Sequence, residues 1–293
     1  MDDTIIEIKE LSKSFSKKKV LNNLSLFIPK GSVYGLLGRN GEGKTTLLKC
    51  IAGLLKPSSG TVSVLSDHPW DFKEQTKEKI GYVPQSDRVY PWLTVRQLIN
   101  YTASFYQHWN HQIVDKLLKE WRVDEHEKFG ILSEGQAQKV SIILSLGHEP
   151  ELLIFDEPVA SLDPAARRQF LKTILGIVSN RECTIFFSTH ITSDLERVAD
   201  HVAVLKDGNI DFCGELGQLK DEVKRLRVVT QHPIPEKYHL NGFIFCESSN
   251  NEAIITVRSF KDEIKNQLEQ EFKAKVEIED LNLEEIFLEL NRS

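Results

Sequence analysis

Short apolar runs open the chain: IIEIKEL at 5–11, LSLFI at 24–28 and VYGLL at 33–37. Their length and β-branched content predict strands. Past residue 37 the period changes. Behind LGRNGEGKTT, the residues Leu47, Leu48, Ile51, Leu54 and Leu55 fall on one helical face, with Gly53 and Pro57 near its end. Strand-like runs return at TVSVL (61–65) and KIGYV (79–83). Residues 94–149 carry mostly helical spacing, in TVRQLINYTASFY, in IVDKLLKEW and in a helix opening at LSEGQ, Leu132 to Gln136. Then ELLIF (151–155) and CTIFFS (183–188) flank a helix from Pro164 to about Asn180. A short helix follows, and HVAVLKDGNIDFCG reads as a hairpin turning at Lys206-Asp207-Gly208-Asn209. Strands alternating with helices predict an α/β core around a largely parallel sheet.

Near residue 222 the pattern shifts. RLRVV, GFIFCE, AIITV and KVEIED read as four short strands, and DEIKNQLEQEF and LEEIFLEL as helices. HPIPEKYH, with two prolines, suits a loop inside this region. The expected division is a domain at 1–222, with a helical insert at about 90–149, and a small α+β domain at 223–293. No internal repeat interrupts either part.

Composition narrows the classes of function. Hydrophobic residues make up 40% and charged residues 27% of the chain, the ordinary balance of a globular protein. The net charge of −6 and dispersed Lys and Arg give no footprint for nucleic acid. The densest basic cluster, Lys17-Lys18-Lys19, reads as a solvated turn. Cys50, Cys183, Cys213 and Cys246 are widely spaced and predict buried, reduced thiols. No apolar run approaches the ~18 residues that span a bilayer, and MDDTIIEIKE lacks a signal peptide's order. A cytoplasmic chain is expected, meeting a membrane only through a partner. His108, Trp109 and His111 read as a solvated helix face rather than a metal site.

The chemistry concentrates in two places. Gly38-Arg39-Asn40-Gly41-Glu42-Gly43-Lys44-Thr45, followed by Thr46, fits GxxxxGK[ST] between a strand and a helix. Glycines there let backbone N–H groups wrap a phosphate, and the helix N-terminus adds partial positive charge. Lys44 then reaches the β- and γ-phosphates of a nucleotide, and the Thr45 hydroxyl ligates Mg²⁺. LLIFDEP supplies the acidic end: Asp156 emerges from a buried strand to hold Mg²⁺ through water. Glu157 is placed to polarise a water for in-line attack on the γ-phosphate.

With LSEGQ ahead of LLIFDEP, residues 4–220 resemble the nucleotide-binding subunit of an ABC transporter. The resemblance implies a P-loop NTPase fold with an antiparallel β subdomain and a helical subdomain, beside the small C-terminal α+β domain. It implies ATP and Mg²⁺ as ligands. The family's signature is typically LSGGQ, and Ser133, Glu134, Gly135 and Gln136 depart from it at one position. In the family these residues contact the γ-phosphate held by a partner chain. Gln85, in YVPQ, resembles the glutamine that senses Mg²⁺ and the attacking water. Asp163, in Ser161-Leu162-Asp163, resembles the D-loop that crosses between subunits. His190, in FFSTH, resembles the switch histidine at the γ-phosphate, and Phe15 aligns with the aromatic that stacks on adenine.

Glu42 is a second departure, standing where the family usually has Ser or Ala. Near a triphosphate its carboxylate costs on the order of 1 kcal/mol if solvent-screened, unless it turns outward or pairs across a dimer. The tail DLNLEEIFLEL resembles the extension of ATP-binding subunits from ABC-2-type exporters. That implies a head-to-tail dimer with itself or a second ABC ATPase, an integral membrane permease as partner, no nucleic acid, and a place at the cytoplasmic face of the membrane. Two alternatives stay open: a regulator that gates a membrane partner without transport, and a soluble ABC protein.

Overall fold

The computed structural model describes residues 4–292, apart from 86–89, 181–182, 231–239, 241 and 250. The HPIPEKYH segment and the N-terminal Met-Asp-Asp therefore lie outside the described residues. The chain divides into two compact units, Met1–Cys213 and Gly214–Ser293.

In the first unit a six-stranded sheet runs β5-β6-β7-β3-β8-β9. These strands are Ile80–Val83 (β5), Leu152–Asp156 (β6), Thr184–Thr189 (β7), Val33–Leu37 (β3), His201–Lys206 (β8) and Asn209–Glu215 (β9). The pairs β5–β6, β6–β7, β7–β3 and β3–β8 are all parallel. Every residue of β3, β6 and β7 is buried, which is why these segments read as continuous apolar runs rather than alternations. A second, antiparallel sheet orders Lys18–Pro29 (β2), Thr4–Phe15 (β1) and Ser59–Val64 (β4) as β2-β1-β4. β1 and β2 run well past the apolar runs expected at 5–11 and 24–28. Backbone pairing carries them there through bulges, with Glu10 and Asn23 in the left-handed region.

Helix α1 (Lys44–Ile51) joins the two sheets. It spans only eight residues, too few to hold its shape alone. Packing supplies the difference: Leu47, Leu48 and Ile51 are fully buried in one core with Ile6, Ile8, Leu36 and Ile154. Each such side chain contributes about 1.5–3 kcal/mol. The helix stops at Ile51, short of Leu54, which is exposed.

Between the sheet strands lie α2 (Glu74–Lys77), α3 (Val95–Ala103), α4 (His111–Glu120) and α5 (Glu134–Leu146), and after β6 come α6 (Pro164–Asn180) and α7 (Thr192–Val198). Capping boxes fix the starts of two of them. Thr94 with Gln97 opens α3, and Ser133 with Gln136 opens α5. The buried thiols expected throughout hold for Cys50 and Cys183 only. Cys213 is exposed and Cys246 half-buried, because each lies in an edge strand of its sheet rather than in a fully covered one.

The second unit begins with helix α8 (Leu216–Glu222), ahead of the change in pattern at 222. Its end is tied into that unit by the Phe260 amide, which donates to the Glu222 carbonyl at 2.9 Å. A four-stranded antiparallel sheet follows, ordered β11-β12-β10-β13. Its strands are Lys224–Val229 (β10), Phe243–Ser249 (β11), Glu252–Val257 (β12) and Lys275–Asp280 (β13). Helix α9 (Asp262–Phe272) lays Ile264 and Leu268 on Leu226, Val228, Ile255 and Val276. Helix α10 (Leu283–Leu290) is capped by Asn282 and Glu285, and Arg225 reaches its Glu285 and Glu289.

Candidate functional site

Residues 38–43 leave the buried strand β3 and enter α1 at Lys44. Gly43, at the helix N-cap, has φ 109°, a conformation that costs an L side chain heavily. A Cβ there would also come within 2.9 Å of Leu21 Cδ2. No side chain caps α1 and no acidic residue sits in its first turn. Its free N–H groups and partial positive charge are therefore left for an anion. They face a cleft of about 490 Å³ lined by Asn40, Gly41, Gly43 through Thr46, Gln85 and Glu157. Val20, on β2, completes the wall.

Lys44 is only 6% exposed. Its ammonium donates to the Gly38 carbonyl at 2.7 Å and to the Arg39 carbonyl at 3.4 Å. It also lies 3.2 Å from Glu157 Oε1. That approach is an ion pair without hydrogen-bond geometry, since Oε1 is buried and accepts no hydrogen bond. The other carboxylate oxygen of Glu157, Oε2, receives the His190 amide at 3.3 Å and lies 2.8 Å from His190 Nδ1. Glu157 is thus held between a cation on α1 and a half-exposed histidine after β7. Its backbone is in the left-handed region, φ 51°, at a non-glycine position where such geometry marks constraint.

Asp156 ends β6 and is 1% exposed. Its Oδ1 accepts a hydrogen bond from Ser188 Oγ at 2.8 Å, and Ser188 Oγ accepts the Glu157 amide at 3.0 Å. Sequence reasoning passed over Ser188 and Val20. Ser188 had a signal: a polar residue directly after the apolar Ile185-Phe186-Phe187, in a strand buried throughout and two before His190. Val20 had none, because its role arises only when β2 folds over the loop.

Glu42, expected to face the phosphates, turn outward or pair across a dimer, does not line the cleft. Its side chain folds behind the loop, with Oε2 3.0 Å from the place a Cβ on Gly38 would occupy. Oε2 is buried and makes no hydrogen bond. Burial pushes its pKa up, and Asp207 adds to that push. Phe15 closes β1 at the hairpin that leads to Val20. Its ring is 46% exposed, with Lys13 Nζ 5.1 Å from the centroid.

The signature residues do not line this cleft. Ser133 and Gln136 cap α5 reciprocally: Ser133 Oγ accepts the Gln136 amide at 3.2 Å, and Gln136 Oε1 accepts the Ser133 amide at 3.0 Å. Gly135 is needed for close approach, since a Cβ there would meet the Ser161 carbonyl at 2.9 Å. Glu134 is exposed. Asp163 caps α6, its Oδ1 accepting the Ala165 and Ala166 amides at 2.8 and 2.9 Å. Those amides, Ala166 first, hold its carboxyl below the usual range. The structure therefore joins the phosphate loop, Gln85 and Glu157 in one cleft, with Asp156 and His190 linked to that glutamate. The signature lies outside that cleft, where Gly135 approaches the Ser161 carbonyl two residues before Asp163.

Comparison with known proteins agrees with this geometry. The family model described as ABC transporter matches residues 21–160. The ABC transporter ATP-binding protein YtrB of Bacillus subtilis is 28% identical over 289 residues, covering 97% of both chains. The Nod factor export ATP-binding protein I of Burkholderia lata is 32% identical and covers 69% of this chain and 68% of its own. A solved ATP-binding subunit of an ABC transporter superposes with TM-score 0.68 at 29% identity, over 74% of this chain and 92% of that one. With its P-loop cleft, its signature helix and these relatives, the chain belongs to the ABC transporter family, as an ATP-binding subunit.

Proposed function

We propose that this ATPase subunit powers export through a separate integral membrane permease at the cytoplasmic face of the membrane. The observation that carries the proposal is Glu157, buried between Lys44 and His190 and lining the phosphate-loop cleft. In this reading the 38–46 backbone, with Lys44, binds the triphosphate, and Phe15 stacks on adenine. Glu157 takes a proton from the water that attacks the γ-phosphate in line. His190 orients that carboxylate and meets the γ-phosphate. The residues present fit Mg²⁺: Thr45 and Gln85 line the cleft, Asp156 is a buried carboxylate beside it, and Glu157 Oε1 is a buried acceptor with no hydrogen bond. Thr45, Gln85 and Asp156 would hold the ion, partly through water, and it would neutralise charge on the phosphates. In this reading the first unit, with the helices of about 90–149, is the ATPase domain, and the second is an accessory domain.

Ser133 to Gln136 and Asp163 act on the nucleotide of a partner copy, or of a second ABC ATPase, in a head-to-tail dimer. Their absence from their own chain's cleft supports that reading. Glu157→Gln tests the chemistry. ATP binding should persist while hydrolysis falls by orders of magnitude, because the amide cannot take the proton. ATP should then trap a dimer on gel filtration. Near-normal turnover would remove Glu157 from the mechanism.

Export is supported by the likeness to a Nod factor exporter subunit. A permease contact is supported by an exposed aromatic run, Tyr90, Trp92, Tyr101 and Phe105, whose rings meet at 5.0 to 5.8 Å. Trp92 is 66% and Phe105 63% exposed. Among the described residues no helix is long and apolar enough to cross a membrane, so attachment would run through such a surface. Trp92→Ser with Phe105→Ser should shift the chain from the membrane pellet to the supernatant of its own cells. Unchanged pelleting would remove this patch as the contact.

A further inference from the structure

Ser188 touches both acids of the site, Asp156 at its carboxylate and Glu157 at its backbone amide. It pairs with Asp156 across the parallel β6–β7 register and is fully buried. Its hydroxyl has one proton, which it donates to Asp156 Oδ1 at 2.8 Å. Its oxygen lone pairs remain to accept, and one takes the Glu157 amide at 3.0 Å. The Ser188 carbonyl shares that amide at 3.2 Å. One side chain therefore fixes a carboxylate on one residue and the backbone of the next.

The coupling matters because Glu157 needs both ends held. Its left-handed backbone, φ 51°, aims the side chain, while the His190 amide and ring fix Oε2 at the far end. Without the hydroxyl the amide keeps only the strand carbonyl, and Asp156 Oδ1 loses its donor inside a buried site. Such displacements act on chemistry more than on binding, since in-line attack tolerates little misplacement.

We infer that Ser188 is a positioning residue for ATP hydrolysis, setting Asp156 toward the Mg²⁺ site and Glu157 toward the attacking water through one hydroxyl. The inference rests on the ATPase reading above. It assigns no contact between Ser188 and the nucleotide.

The test compares Ser188→Ala, Ser188→Thr and Ser188→Cys in the full chain, with Glu157→Gln alongside. ATP turnover is measured against ATP and Mg²⁺. Binding of a fluorescent ADP analogue is measured separately with Mg²⁺ and with EDTA, and folding by melting temperature. In Ser188→Ala, kcat should fall about 10- to 100-fold while KM for ATP stays within about threefold. The tightening of ADP-analogue binding by Mg²⁺ should shrink, with binding in EDTA unchanged. Ser188→Thr, which keeps the hydroxyl, should recover most of the turnover. Ser188→Cys, of similar size but a weak donor, should resemble Ala and serves in its place if Ala does not fold. A folded Ala or Cys variant with normal kcat and normal Mg²⁺ tightening overturns the inference. So does a loss of turnover that only follows the loss of folded protein. If Glu157→Gln is inactive while Ser188→Ala is normal, the role of Ser188 alone fails. If Glu157→Gln turns over normally, the ATPase reading beneath it fails.

Discussion

At the scale of single residues, burial decides which charges this site tolerates. Lys44 and Glu157 are 6% and 5% exposed and lie 3.2 Å apart, so each offsets part of the other's desolvation. Glu42 has no such partner at Oε2 and is pushed toward the neutral form behind the loop. The family-atypical carboxylate does not line the phosphate cleft. Phe15 is the opposite case, a large apolar ring left 46% exposed. A ring this exposed contributes little to folding, so Phe15→Ala should leave the melting temperature nearly unchanged. It should weaken ATP and GTP alike by about 1–2 kcal/mol through lost stacking area. Calorimetric titration with both nucleotides checks this. Unchanged affinity with a lowered melting temperature would move Phe15 into the core of the hairpin.

At the scale of elements, the end of α5 is tied to the sheet through His148. Its ring stacks on Tyr106 at 4.1 Å between centroids, and Nε2 lies 3.3 Å from the Ile80 carbonyl on β5. Nδ1 is buried with no partner, and burial lowers the pKa to about 4. The neutral form is the one the fold holds, so the unfolded chain binds the extra proton first. Stability from this group is complete above the ordinary pKa of 6.5 and is lost as pH falls through about 4. The full loss would be about 3 kcal/mol. In His148→Gln, which keeps a donor but does not titrate, melting temperature should fall less steeply between pH 6.5 and 4. An acid limb as steep as that of the parent chain would show that His148 carries its proton without cost to the fold.

At the scale of the molecule, the question is why the phosphate-loop helix and the signature helix should start in places so far apart in the chain. Neither Ser133 nor its neighbours line the cleft of Lys44. A head-to-tail dimer would put each signature over the partner's nucleotide and create two equivalent sites. Lys44→Ala and Ser133→Arg chains should each be inactive alone. Mixed, they should regain at most about a quarter of parental activity, because half the dimers are mixed and each has one intact site. ATP-dependent dimerisation of the mixture is measured as well, so that strict two-site cooperativity does not conceal the rescue. If neither hydrolysis nor dimerisation returns, the site is not shared between chains.

The amino-acid sequence alone determined the loop at 38–45, the acidic pair at 156–157, the parallel core and helices α9 and α10. Each of these follows from local rules: backbone that glycine alone tolerates, apolar periods of two or 3.6, and caps within four residues of one another. DEIKNQLEQEF and LEEIFLEL match α9 and α10 residue for residue. Other features were set only when distant segments met. Ser188 joined Asp156 because β6 and β7 pair in one parallel register. Asp207, in the turn after β8, came to raise the pKa of the distant Glu42 only through the fold. Cys213 surfaced because its strand is the last of the sheet, with no neighbour on its outer side to cover it. Period and propensity act over a few residues, whereas burial and partnership depend on what the rest of the chain brings alongside.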